Sequence, residues 1–192
     1  MQRICVYAGS NPGRDPAYAD TAVELARELT RRGIGVVYGG GKVGLMGVLA
    51  DAAMEAGGEV IGVMPQDLID REIGHPAITD LRVVASMHER KALMAELSDG
   101  FAALPGGAGT LEELIEVYTW SQLGHHRKPM GVLNVSGYYD GLGRLLDHAV
   151  QEGFLRDVHR DAMQFAVTPS ELLDAFTGWK PAYLSKWTER DA

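Results

Sequence analysis

The chain has 192 residues, of which 46% are hydrophobic and 23% charged, and its formal net charge is -8. This length suits one domain with a buried core, and the negative charge argues against a nucleic-acid polymer as a partner. The single cysteine, Cys5, excludes an internal disulfide and favours a reducing compartment. The sequence opens with no signal-peptide pattern and contains no apolar run of about 18 residues, so we expect a cytoplasmic protein with no membrane partner.

Short apolar runs alternate with amphipathic segments along the chain. The runs predict strands over residues 4–8, 34–38, 60–64, 81–85, 101–104, 130–135 and 165–167. The amphipathic segments predict helices over residues 17–32, 44–56, 88–98, 111–123, 139–152 and 170–176, and a polar, irregular stretch covers 65–80. This alternation predicts an α/β fold, with a Rossmann-like, mostly parallel sheet and helices on both faces. We expect one domain over residues 1–192, with an unassigned tail from about residue 179.

Two glycine-rich loops follow the first two predicted strands at their carboxyl ends, where open parallel sheets bind ligands. The first reads A-G-S-N-P-G, and its Ser10 offers a donor, although turn chemistry alone would also explain the loop. The second reads G-G-G-K-V-G-L-M-G and contains Gly41 and Gly44. It follows the second strand instead of the first, and Met64 and Pro65 stand where a ribose-binding acid would be expected, which argues against NAD.

A third loop, residues 105–113, reads P-G-G-A-G-T-L-E-E and is the most informative part of the chain. It joins a strand to a helix, so bare N–H groups and a helix N-terminus would meet an anion, most often a phosphate. Two carboxylates, Glu112 and Glu113, would repel that anion unless they have another task. A structural alternative is a capping box, in which Thr110 caps the helix and Glu113 bonds back to the Thr110 N–H.

Two charged segments bear on this choice. Residues 87–91 read M-H-E-R-K and place Arg90 and Lys91 near a helix N-terminus, where the macrodipole disfavours cations. Such a cation is either a solvated surface charge or the partner of an anion. Arg71 and Glu72 lie in the irregular stretch, where an exposed ion pair of little energetic value is the plain alternative.

Together these motifs resemble those of the LONELY GUY (LOG) family. Its members are phosphoribohydrolases that act on cytokinin riboside 5′-monophosphates and, in many bacteria, on AMP, and they are often mislabelled as lysine decarboxylases. The family motifs P-G-G-x-G-T-x-x-E, M-H-x-R-K and G-G-G-x-x-G-L-M-G stand at residues 105–113, 87–91 and 39–47, and the resemblance extends from residue 4 to about 167. It implies a homodimer, or a larger assembly of dimers, with the site near the dimer interface. We expect no cofactor, and we expect no metal because no Cys, His or Asp cluster has zinc spacing.

The resemblance also implies roles for particular residues. Arg90 and Glu113 match the family's catalytic pair for hydrolysis of the N-glycosidic bond, which gives the free base and ribose 5-phosphate. The positions that match the phosphate cradle are Gly106, Gly107, Gly109 and Thr110. Other substrate-contacting positions are matched by Glu72, Lys91 and Glu112. We add to the predicted binding residues the loop positions Ala108, Leu111, Ser10, Gly41 and Gly44.

The alternative from another class is a nucleotide- or cofactor-binding carrier that performs no chemistry, since Rossmann-like carriers use similar glycine loops. Glu113 together with Arg90 favours the enzyme, because a carrier needs no carboxylate beside a phosphate. We reject a lysine decarboxylase, because no lysine lies in a setting suited to a Schiff base. The preferred base stays open, and the side chains that would either line an apolar base pocket or pack in the core are Met46, Met87, Met94 and Trp120.

Overall fold

The computed structural model describes residues 1–70 and 74–181, and its sheet confirms the predicted α/β class. The strands are β1 (Arg3–Tyr7), β2 (Gly35–Tyr38), β3 (Val60–Pro65), β4 (Asp80–Val84), β5 (Gly100–Ala103), β6 (Met130–Leu133) and β7 (Met163–Ala166). They form one sheet in the order β4-β3-β2-β1-β5-β6-β7, and every neighbouring pair is parallel. Parallel strands need crossover connections, and helices supply them here.

The α-helices within the described residues follow the predicted pattern with two additions, and a 3-10 helix at Val135–Gly137 begins where the strand predicted over 130–135 was expected to end. The α-helices are α1 (Pro16–Arg31), α2 (Gly44–Glu55), α3 (Gln66–Ile69), α4 (Met87–Glu96), α5 (Ala108–Gln122), α6 (Asp140–Gln151), α7 (Asp157–Ala162) and α8 (Pro169–Thr177). The short helices α3 and α7 lie where the sequence predicted none. One turn or little more is too short for a helical periodicity to be visible in the sequence.

Alternate side chains of the strands pack into two separate hydrophobic cores, one on each face of the sheet. Ile4 and Val6 pack with side chains of α1, α2 and α8. Cys5 and Tyr7 point the other way and pack with side chains of α4, α5 and α6. Cys5 is fully buried, and burial raises the pKa of its thiol far above the ordinary value, so it serves packing. Both faces of the sheet are therefore covered, as a parallel sheet requires.

The order of the strands reverses direction at β1, which lies between β2 and β5. Open α/β sheets bind ligands at such a switch point, outside the carboxyl ends of the strands. The loops that follow β1, β2 and β5 all leave from this edge of the sheet. The fold therefore brings the three glycine-rich loops of the sequence to one place.

The chain after α8 is tied to the loop before β6, because the Trp179 indole N–H donates to the Arg127 carbonyl at 3.2 Å. The predicted tail begins here, and its residues 182–192 lie outside the described part of the chain. Across the described residues, each helix is too short or too polar to cross a bilayer.

Candidate active site

The start of α5 is built by glycines and not by a capping side chain. The helix begins at Ala108 with Gly107 as its N-cap, and the Leu111 N–H already bonds to the Gly107 carbonyl at 3.2 Å. The predicted start at Leu111 is therefore wrong, and the capping box of Thr110 and Glu113, an alternative that the sequence left open, is not formed. A glycine cap has no side chain to satisfy the first helical N–H groups, so these groups remain available to an anion.

Backbone contacts hold the three loops against one another. The Gly9 N–H donates to the Pro105 carbonyl at 3.1 Å, and the Leu45 N–H donates to the Gly9 carbonyl at 2.9 Å. A Cβ at Gly44, whose φ is +63°, would stand 2.2 Å from the Ser10 carbonyl carbon. Gly44 therefore acts by allowing this close approach, and it positions Ser10.

A cavity of about 270 Å³ opens between these loops and α4. Its lining includes the predicted site residues Ser10, Arg90, Gly107, Ala108, Gly109, Thr110, Glu112 and Glu113, and it also includes Ala8, Met46 and Met87. The bare start of α5 forms one wall, and the two glutamates and Arg90 contribute the charges. The sequence motifs at residues 87–91 and 105–113 thus meet across a single cavity.

Arg90 is 8% exposed and is fixed by one carbonyl of β3 and one carbonyl of the loop after β2. Its Nε donates to the Val63 carbonyl at 3.0 Å, and its Nη2 donates to the Gly39 carbonyl at 2.9 Å. A Cβ at Gly39 would stand 1.9 Å from Nη2, so only glycine fits beneath the guanidinium. A third N–H group, on Nη1, contacts Met87 Sδ at 3.7 Å, so two of the five guanidinium N–H groups remain to meet a ligand in the cavity.

Glu113 is partly buried and faces the cavity near Arg90. Burial raises the pKa of its carboxyl above the ordinary value of 4.5, and the negative charges of Glu112 and Glu116 act in the same direction. The positive charges of Arg90 and Lys91 oppose this shift without cancelling it. A poorly solvated carboxylate is suited to stabilise a positive charge that forms beside it.

Lys91 lies outside the lining of the cavity but forms an ion pair with Glu112, which is part of that lining. Its Nζ is 2.5 Å from Glu112 Oε1 and 3.0 Å from Glu116 Oε1. The cation that the sequence places against the helix dipole is therefore the partner of two anions, and not a solvated surface charge. Glu116 is not among the predicted site residues, because it lies outside the motif at residues 105–113. Its spacing of four residues from Glu112 nevertheless puts both on one side of the helix.

Several predicted binding residues lie elsewhere. Gly41 forms an isolated bridge with Gly74, which ties its loop to the segment before β4. Leu111 is 37% exposed, and Glu72 falls outside the described residues. Gly106 lines a second cavity of about 300 Å³ beside the first.

Tyr138 closes the side of this second cavity, and its hydroxyl donates to the Gly106 carbonyl. This contact supports the loop from a distant part of the chain, so no local sequence signal predicted it. Among the described residues, no group of three His, Cys, Asp or Glu side chains has the arrangement of a metal site.

The fold and the cavity define a Rossmann-like α/β protein with an anion-binding helix start and a desolvated carboxylate beside it. A family model with the description "Possible lysine decarboxylase" matches residues 46–176. The chain is 50% identical to the cytokinin riboside 5′-monophosphate phosphoribohydrolase LOG of Oryza sativa subsp. japonica, over 95% of this chain and 76% of that protein. It is 49% identical to the phosphoribohydrolase LOG4 of Arabidopsis thaliana, over 97% of this chain and 87% of that protein. The chain belongs to the LOG family of cytokinin riboside 5′-monophosphate phosphoribohydrolases.

Solved structures show the same fold at lower identity. A molybdenum cofactor binding protein from Rippkaea orientalis superposes with a TM-score of 0.68 and 22% identity, covering 93% of this chain and 96% of that one. At this identity the likeness concerns the fold alone. The fold is therefore shared with proteins named for cofactor binding, and the residues of the cavity must decide what this chain does.

Proposed function

We propose that this chain hydrolyses the N-glycosidic bond of a nucleoside 5′-monophosphate, either a cytokinin riboside 5′-monophosphate or AMP or both. The products are the free base and ribose 5-phosphate. The observation that carries the proposal is the meeting of the bare α5 start, Arg90 and Glu113 in one cavity. The identity of about half the residues to curated phosphoribohydrolases supports the same activity.

The geometry suggests how the two ends of the substrate are held. The N–H groups at the start of α5, with Thr110, would hold the 5′-phosphate, because the helix dipole favours an anion there. Glu113 lies about one turn further into the helix, where the ribose would follow the phosphate. Glu112 and Glu72 would hold the ribose hydroxyls.

Glu113 would then act on the reacting carbon. As the bond from C1′ to the base nitrogen breaks, its electron pair leaves with the base, and positive charge develops on the ribose. Glu113 would stabilise this charge and orient or deprotonate the water whose oxygen bonds to C1′. The proton released by the water ends on the base. Arg90 would clamp the phosphate or polarise the sugar hydroxyls.

The remaining expectations belong to the same proposal. Met46 and Met87 line the cavity and would face the base, since their apolar side chains suit a planar ring or an isoprenoid chain.

We propose one domain over residues 1–192, a homodimer or an assembly of dimers, and a cytoplasmic location. Support for an interface near the site comes from apolar side chains of α4 and α5 that remain 37–44% exposed: Met87, Leu111 and Ile115.

The test is a comparison of AMP, GMP, CMP and isopentenyladenosine monophosphate, with chromatography to detect the free base. We expect base release from at least one adenine nucleotide, and binding without release would favour the carrier. Arg90→Ala is expected to reduce kcat/KM by about 100- to 1,000-fold, because it removes a fixed cation from the cavity. Wild-type kinetics for this variant would remove Arg90 from the mechanism.

A further inference from the structure

The ion pair of Lys91 and Glu116 lies beside the cavity, next to Glu112, which lines it. Lys91 reaches from α4 to α5, where Glu112 and Glu116 follow one another after one helical turn. The Lys91 side chain is only 10% exposed. A cation in so little water requires anionic partners, and the two carboxylates are its ion-pair partners among the described residues.

The two carboxylates differ in what else they can reach. The Glu112 side chain is 55% exposed and lines the cavity. The Glu116 side chain is 26% exposed, and its Oε2 is buried with no hydrogen-bond partner among the described residues. Glu112 is therefore free to turn toward a ligand, whereas Glu116 is confined beside Lys91.

We infer that Glu116 is a positioning residue, which keeps the Lys91 ammonium paired while Glu112 exchanges that ammonium for the ribose hydroxyls of the substrate. The inference rests on the proposed function, because it concerns the grip on a nucleotide. With Glu116 present, the departure of Glu112 leaves a Lys91–Glu116 ion pair. Without it, the same movement leaves a buried cation unpaired, so Glu112 is retained by Lys91 and the substrate binds more weakly.

The test is a double-mutant cycle with Glu116→Gln, Glu112→Gln and the double variant, in which kcat and KM for AMP are measured. Gln has the same shape as Glu, so the cycle removes charge while retaining volume. We expect Glu116→Gln to raise KM by about 3- to 30-fold with less than a twofold change in kcat. In the Glu112→Gln background the same substitution should change KM less than about twofold, because the residue at position 112 no longer carries a charge that Lys91 could retain.

The control is Glu96→Gln, which removes the same charge from the exposed end of α4 and should leave KM unchanged. An equal change in KM in both backgrounds would assign Glu116 to packing alone and overturn the inference, as would an unchanged KM. If Glu116→Gln does not fold, Glu116→Asp takes its place in the cycle, since it withdraws the carboxylate by one methylene. The same non-additive change in KM is then expected.

The proposed function and this inference fail in different ways. An active wild-type chain with an additive cycle would contradict only the role of Glu116. A wild-type chain that binds AMP but releases no base from any nucleotide of the panel would contradict the proposed hydrolysis, and the cycle is then run on calorimetric Kd values for AMP. A chain that neither binds nor cleaves any of the nucleotides would overturn both.

Discussion

The starts of α5 and α8 both contain a threonine followed three residues later by a glutamate. At α8, Thr168 is the N-cap and accepts a hydrogen bond from the Glu171 N–H, while Glu171 accepts one from the Thr168 N–H. At α5 the N-cap is Gly107, so Thr110 lies inside the helix and Glu113 faces the cavity. The same spacing therefore forms a capping box at the start of α8, whereas at the start of α5 it leaves the Glu113 carboxylate free of the backbone.

The two glutamates respond to these settings in opposite ways. Hydrogen bonds from the Thr168 and Val167 N–H groups lower the pKa of the Glu171 carboxyl. Burial raises the pKa of the Glu113 carboxyl. The position of the N-cap decides whether the glutamate side chain hydrogen-bonds to the backbone or remains available to a ligand. At α5 this N-cap is Gly107. A capping pattern in a sequence is thus insufficient evidence for a purely structural role.

The largest expected difference between the two helix starts is in turnover. Glu113→Gln should reduce kcat by about 100- to 10,000-fold while AMP binding persists, because the amide keeps the shape and loses the charge and basicity. Glu171→Gln should retain wild-type kcat, since its side chain serves the backbone. Steady-state kinetics and calorimetry on both variants would check this. Normal hydrolysis by Glu113→Gln would end its proposed role.

A second difference concerns the backbone itself. Gly106→Ala would place a Cβ 2.2 Å from Thr110 Oγ1 and 2.9 Å from the Gly9 nitrogen, so the loop before α5 must move. We expect KM for AMP to rise about tenfold or more, the equivalent of 1.4 kcal/mol. Gly178→Ala, after α8, meets its nearest atom at 3.7 Å and should leave KM unchanged. Equal kinetics for the two variants would show that the cradle tolerates a shift of its backbone.

The smallest expected effects are on stability, and they have opposite signs. Glu113 has a raised pKa in the folded state, so its ionisation destabilises the fold as pH rises from about 4.5 through the raised value. Glu113→Gln should therefore increase the melting temperature at pH 7, and the increase should vanish below about pH 4.5.

Glu171 has a lowered pKa, so its stabilising contribution is present above the ordinary pKa and is lost as pH falls through the lowered value. Glu171→Gln should therefore decrease the melting temperature at pH 7. Thermal unfolding of both variants across this pH range measures the two differences. A lower melting temperature for Glu113→Gln at pH 7 would show that the Glu113 carboxylate stabilises the fold and would contradict this prediction.

The fold was predictable because its signals are local. Buried strands such as β1 are short apolar runs, and glycine clusters mark their carboxyl ends. The start of α5 was misplaced by three residues, because Gly107, Ala108 and Gly109 carry no helix-start signal while Thr110 imitates one. Small residues that expose backbone are easily mistaken for a turn.

The charged part of the site was predictable only in part. The M-H-E-R-K segment indicated Arg90 and Lys91, but their partners come from strands and helices distant in sequence: the Val63 and Gly39 carbonyls for Arg90, and Glu116 as well as Glu112 for Lys91. No pattern in one sequence reports which carbonyl a buried arginine will reach. Such contacts follow from the strand order, which the sequence alone does not supply.

The backbone bonds between the loops have a consequence for redesign. Gly9 is linked to Pro105 and to Leu45 by main-chain atoms alone, so these two links use no side chain, whereas the Tyr138 hydroxyl adds a side-chain contact to Gly106. Met46 joins the same framework only through its main-chain N–H, which donates to the Gly9 carbonyl at 3.4 Å, and the side chains of Met46 and Met87 line the cavity. A library that varies position 46 should alter the choice of base while the main-chain bonds around the cradle are retained, whereas variation at position 87 also removes a contact of the Arg90 guanidinium.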